Sequence, residues 1–191
     1  HFIIGNGDRE TVAAKHGNMS SILPPNFRES LLWNSSQLSA EDEKQIGAWP
    51  LTELIAIAGI GDVVFCHATP RNDVEIFTSA TDQEKLLPIF EPLRASLVVC
   101  GHTHIQFDRH VGGTRVINPG SVGMPFQKPG AYWLLIGAGI ELRHTAYDLQ
   151  AAADRVRATA YPLAEEFAAR NILAPPDEAH MIAALAKAEL K

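Results

Sequence analysis

The chain has 191 residues, 46% apolar and 20% charged, which suits one globular domain with enough length to bury a core. Its 16 basic and 22 acidic residues give a net charge of −6 with no Lys/Arg cluster. That argues against an obligate nucleic-acid partner and leaves a small phosphate ester open, because a metal can supply positive charge locally. No apolar run reaches the ~18 residues of a membrane span and no leader-like segment opens the chain, so a cytoplasmic protein is expected.

His1 to Ile4 reads as a short apolar strand ended by the loop Gly5-Asn6-Gly7-Asp8. A domain rarely begins on what looks like a core strand, so a further N-terminal segment is expected before His1. Glu10 to His16 is a candidate helix, broken by Leu23-Pro24-Pro25-Asn26, and Asn26 opens an amphipathic stretch through Trp33. Ser39 followed by Asp42 and Glu43 marks a helix start, with the helix running to about Gly47. Leu51 to Gly59 is a candidate strand, Gly59 to Asp62 a turn, and Val63 to Cys66 a short buried strand. Thr81 with Glu84 forms a capping-box pattern before a helix to about Leu93.

Leu97 to Cys100 is the next buried strand. Gly112-Gly113 reads as the turn of a hairpin between Ile105–Val111 and Thr114–Asn118. Two more strands follow, AYWLLIG and IELRHTAYD. From Asp148 the chain is Ala-rich and helical, interrupted at Pro162 and Pro175-Pro176. Strands ending in polar loops, with helices between them, give an α/β layered domain whose function sits at those loops. The reading places it at residues 1–147, with a helical extension at 148–191 whose apolar faces are a candidate surface for a homo-oligomer. Cys66 and Cys100 close the apolar runs VVFC and LVVC and are expected as buried, reduced thiols.

Chemistry concentrates at four strand ends: Asn6 after HFII, His67 after VVFC, His102 and His104 after LVVC, and Asn118 to Gly123 after the hairpin. Imidazole is the commonest protein ligand for transition metals, and the Asn6 carbonyl oxygen suits a harder cation. Two histidines at i, i+2 can reach two metals from one turn if the backbone bends, a freedom expected of Gly101. His1, His16, His110, His144 and His180 lack such company and read as surface or satisfied core residues. A rival zinc site from Cys66, Cys100, His67 and His102 is disfavoured because adjacent strand residues face opposite ways.

The segments GNGDRE, CHATPRND, CGHTHIQF and NPGSVG, in this order and spacing, resemble the later motifs of the calcineurin-like metallophosphoesterases, most of all their small bacterial and archaeal phosphodiesterase branch. The resemblance covers about residues 1–147. It implies a two-sheet sandwich flanked by helices, here lacking its N-terminal strands and followed by C-terminal helices. It also implies hydrolysis of a small phosphate-ester or nucleotide substrate by two divalent metals sharing a hydroxide. Asn6, His67 and His102 would ligate one metal and His104 the other, with Mn favoured and Fe, Ni, Co or Zn accepted.

Asp8 is expected to orient ligands. Arg71 and Asn72 are expected at the substrate, with an exposed loop salt bridge the equal alternative, and Asn118 to Gly123 is expected to shape the rim. The family's Asp-x-His motif and its bridging Gly-Asp motif do not occur before Asn6, and Gly61-Asp62 reads as a hairpin turn. Gly7 stands where larger branches carry a histidine able to protonate a leaving alkoxide, which favours better leaving groups or another acid. The alternative function is a non-catalytic metal-binding or regulatory member of the same fold.

Overall fold

The computed structural model describes residues 1–19 and 25–190. Among them, strands β1 (Thr52–Ile57), β2 (Gly61–Cys66), β3 (Leu97–Val99), β4 (Gln106–Val111) and β5 (Thr114–Pro119) form a five-stranded sheet in the order β1-β2-β3-β5-β4. The centre is parallel, with Phe65 opposite Val99 and Val99 opposite Ile117. The two edge strands pair antiparallel, through the hairpin turns that the glycine positions predict. Strands β6 (Ala131–Ile136) and β7 (Ile140–Thr145) make a separate antiparallel pair.

Alternation along the central strands divides the apolar side chains between two layers. Val63, Leu97, Val99 and Ile117 face the two-stranded sheet and pack against Leu134, Ile136, Ile140 and Leu142. Cys66, Val98, Cys100 and Val116 face the other way, against Leu86, Ile89 and Phe90 of helix α4 (Gln83–Phe90). Both faces of the parallel strands are covered, which is why VVFC and LVVC read as unbroken apolar runs. The thiols of Cys66 and Cys100 are free and buried. Burial pushes Cys66 up to about 12 and Cys100 well above its ordinary value, so both remain protonated core groups.

Helices α1 (Asn6–Lys15), α2 (Pro25–Gln37) and α3 (Ala40–Gly47) precede the sheet. After β7 come α5 (Leu149–Arg157), α6 (Ala164–Phe167), a π-helical turn at Ala168–Leu173, and α7 (Glu178–Leu185), interrupted where the prolines predict. Asp148 caps α5 by accepting from the Ala151 amide, and Asp177 caps α7 by accepting from the His180 amide. The C-terminal helices are tied back to the rest. Tyr161 donates its hydroxyl to Ser30, and Glu178 accepts from Gln127, whose own oxygen accepts from the Gln106 amide.

Several local expectations are corrected. His1 to Ile4 is not a strand: the Ile4 amide donates to the Pro50 carbonyl, and Phe2, 61% exposed, stacks on Trp49. Helix α1 starts at Asn6 rather than Glu10, because the Asp8 carboxylate accepts from the Gly5 amide and caps a segment whose glycines suggest a loop. Thr81 does not cap α4. Its hydroxyl donates to Glu189 and accepts from the Thr78 amide, and Asp82 takes the N-terminal position. Asn26 lies one residue inside α2, and the Leu23 and Pro24 part of the expected break lies outside the described residues. Ser39 caps α3 as expected, in reciprocal bonds with Asp42.

Phe90 is fully buried and meets Phe77 edge-to-face at 5.4 Å. Phe90→Ala is expected to cost about 3–5 kcal/mol of stability, seen as a lowered urea midpoint. A midpoint equal to that of the parent chain would place the core elsewhere.

Candidate metal centre

The parallel register sets the ends of β2 and β3 side by side, so the residues that follow each strand meet. The Gly101 amide donates to the His67 carbonyl at 2.7 Å, and the Cys100 amide to Ile117 at 2.9 Å. Beyond that point the chain turns sharply, with the Thr103 amide donating to the Gly101 carbonyl. The conformational freedom expected of Gly101 is instead taken by the histidines: His102 and His104 have φ of 66° and 59°. Left-handed backbone at a residue with a Cβ costs roughly 1–2 kcal/mol, so the surroundings must hold it.

Asn118 is one such support. It is fully buried, donates to the Gly101 carbonyl and the Thr103 hydroxyl at 2.6 and 3.0 Å, and accepts from the Gly120 amide. Rather than lining a rim, its side chain sits beneath the loop and braces it. Gly120 itself has a φ of 82°, and a Cβ there would meet Tyr132 at 2.7 Å.

Asn6, His67 and His102 come together. His67 Nε2 lies 3.0 Å from Asn6 Oδ1 and 3.1 Å from His102 Nδ1, with the two rings edge-on at 5.0 Å. Gly5 makes this possible, because a Cβ on it would sit 2.7 Å from His67 Nδ1. The His102 ring is held from behind by the Val74 carbonyl. His104 stands apart from the trio. Its Nδ1 donates to the Met124 carbonyl at 2.8 Å, and its ring tilts over Phe126 at 5.1 Å. That bond fixes the tautomer and leaves Nε2 with its lone pair.

Burial is the main cause of the titration behaviour here. It drives His67 down to about 4, with the neighbouring His102 ring as the next contribution. It also holds His102 and His104 below the ordinary imidazole value, against the opposing bonds to the Val74 and Met124 carbonyls. Three neutral donor atoms thus crowd around one point. Two imidazole nitrogens and an amide oxygen suit a borderline divalent cation, so the donor set fits a metal. Among the described residues no three His, Cys, Asp or Glu side chains are arranged to hold one, so the third donor of the cluster is the Asn6 amide.

The other expected residues lie around this cluster. Asp8 caps the turn that carries Asn6. Arg71 pairs with Glu75, and the Asn72 side chain accepts from the Val74 and Glu75 amides, so both shape the loop after His67. Asp73 in the same loop is a further residue of the site, beyond those expected from the sequence. Its carboxylate takes Arg9 of α1 in a fork, at 2.7 Å to Nε and 3.1 Å to Nη2, and its charge reaches His67 and His102. The signal in the sequence is only that GNGDRE carries an arginine and CHATPRND an aspartate.

The family description "calcineurin-like phosphoesterase superfamily domain" matches residues 1–137. Similar solved structures include hypothetical protein PH1004 from Pyrococcus horikoshii OT3, 18% identical with a TM-score of 0.71, covering 87% of this chain and 70% of that one. A metallophosphoesterase from Sphaerobacter thermophilus is 20% identical with a TM-score of 0.67, covering 88% of this chain and 74% of that one. At these identities the likeness is one of fold. A comparison with the curated proteins finds no match. The match over most of its length means that the chain belongs to the calcineurin-like phosphoesterase superfamily, a family of metal-dependent hydrolases of phosphate esters.

Proposed function

We propose that the chain is a phosphodiesterase in which Asn6, His67 and His102 hold one divalent cation and His104 a second. The observation that carries this reading is the gathering of Asn6 Oδ1 and His102 Nδ1 within 3.0 and 3.1 Å of His67 Nε2, at the strand ends of a phosphoesterase domain. Mn is the favoured metal, and Fe, Ni, Co or Zn suits the same donors. Bound divalent metals polarise phosphoryl oxygens and make a water acidic enough to act as nucleophile near neutral pH.

The chain's own residues prepare the site. Burial keeps the imidazoles unprotonated, and so ready to donate lone pairs. Asp8 holds the turn of Asn6, and Met124 and Val74 aim His104 and His102. Gly7 brings no acid to the leaving group, which favours substrates whose leaving oxygen needs little protonation. Arg71 engages Glu75 through Nε and Nη2, so a contact between Arg71 and a substrate would fall to its Nη1. A non-catalytic metal-binding role is the second reading, favoured by one observation: no described carboxylate joins the imidazoles.

The deciding experiment titrates the chelator-stripped protein with Mn and assays it on bis(p-nitrophenyl) phosphate. Hydrolysis that requires Mn and stops with EDTA is expected, falling on the order of 100-fold in His102→Ala and in His104→Ala. Activity indifferent to EDTA would sink the metal mechanism, whereas Mn binding without hydrolysis would select the second reading. Gly5→Ala, which sets a methyl 2.7 Å from His67 Nδ1, is expected to weaken Mn binding roughly tenfold or more by calorimetry.

The metal-free protein carries a pH signature. An unfolded histidine takes its proton near pH ~6.5, whereas folded His67 does so at about 4. The folded state therefore binds fewer protons between these values, and stability is expected to fall as pH is lowered from about 6.5 towards 4. A chemical-denaturation midpoint that stays flat from neutral pH to 4 would contradict the burial of this ring.

A further inference from the structure

We propose that Arg9 is the residue that grips a non-bridging phosphoryl oxygen of the substrate, offering the one guanidinium nitrogen that Asp73 leaves unused. The inference rests on the phosphodiester reading and deepens it. Arg9 lies three positions after Asn6 on α1, and residues at that spacing share a helix face. Its side chain is therefore carried beside the donor trio by the same helix that delivers the Asn6 oxygen.

The pairing with Asp73 fixes which edge of the guanidinium is presented. Nε and Nη2 are both engaged by the carboxylate, at 2.7 and 3.1 Å, and among the described residues Nη1 has no hydrogen-bond partner. The Asp73 side chain is 10% exposed and that of Arg9 is 49% exposed, so the inner half of the pair is anchored and the outer half faces solvent. Asp73 also lies close enough to the proposed metal ligands for its charge to bear on both His67 and His102. A planar fork locked on one side gives directional hydrogen bonding on the other at little further entropic cost. The ion pair is neutral as a unit. Its contribution is therefore orientation of the phosphoryl group, with the attraction of net charge left to the metals.

An ion pair that merely pins α1 to the loop after His67 would behave differently, which makes the proposal testable on the intact chain. Inorganic phosphate is titrated calorimetrically into the Mn-loaded protein, for the parent and for Arg9→Met and Arg9→Lys, with Mn affinity measured in parallel. Arg9→Met is expected to weaken phosphate binding on the order of tenfold or more while Mn affinity stays within about twofold. Arg9→Lys, which keeps the charge and loses the fork, is expected to fall between the two. In turnover the loss should be in KM as well as kcat.

Unchanged phosphate affinity in Arg9→Met would overturn the inference, as would a parallel fall in Mn affinity, which would make Arg9 a support of the metal site. Absence of phosphate binding by the parent protein would overturn it too. If phosphate binding depends on Arg9 but the parent hydrolyses no diester, the phosphodiesterase reading fails and the anion contact stands.

Discussion

The parallel pairing of β2 with β3 is the constraint on which the site depends. With Phe65 opposite Val99, the next residues along each strand are Cys66 and Cys100, and the ones after them are His67 and Gly101. A slip of one residue would exchange the side chains packed in the two layers, setting Val64 and Cys66 against the two-stranded sheet in place of Val63 and Phe65. The two apolar layers thus enforce the register, and the register brings the loop of His67 against that of His102 and His104. The bond from the Gly101 amide to the His67 carbonyl completes the ladder just where the chemistry begins. Core packing and ligand placement are therefore two consequences of one alignment.

Much of this was legible in the sequence because the strands announce themselves. VVFC and LVVC are short, unbroken and β-branched, and the paired glycines at 112–113 mark a hairpin. The same strands point to the site, since polar residues following them fall at one sheet edge. His67 and His102 were legible for that reason, whereas Asn6 follows a segment that forms no strand. What the sequence hides are contacts between distant segments. Nothing local says that Arg9 finds Asp73, that Asn118 reaches back to Gly101, or that Met124 supplies the carbonyl that orients His104. The start of α1 was obscured by a different cause: two glycines suggest a loop, whereas a single carboxylate, Asp8, caps the turn they form. HFII failed as a strand because apolar character does not by itself provide a partner strand.

Charge is distributed with some economy in this acidic chain. The carboxylates whose charge bears on His67 are already committed, Asp8 to an amide and Asp73 to a guanidinium. The donor trio is left electrically neutral, and burial keeps it so. Under the proposed function, a cation entering such a site would meet lone pairs rather than formal negative charge, and would keep most of its own charge for a phosphate ester. The C-terminal helices take part indirectly. Glu178 accepts from Gln127, which accepts in turn from the Gln106 amide, so the segment after β7 is tied to the strand that follows the His104 loop.

The left-handed backbone of His102 and His104 has a consequence for which sequences could occupy this loop. Under the proposed function, each position must satisfy two independent filters, a side chain that donates a lone pair and a backbone that tolerates positive φ. Among residues with a Cβ, only histidine, asparagine and aspartate are well represented in that region, and all three are metal ligands. Glutamate and cysteine pass the first filter with less ease at the second, and valine and isoleucine fail both. Geometry and chemistry thus confine both positions to nearly the same short alphabet. Drift within that alphabet would change the hardness and charge of the centre while leaving the path of the chain intact.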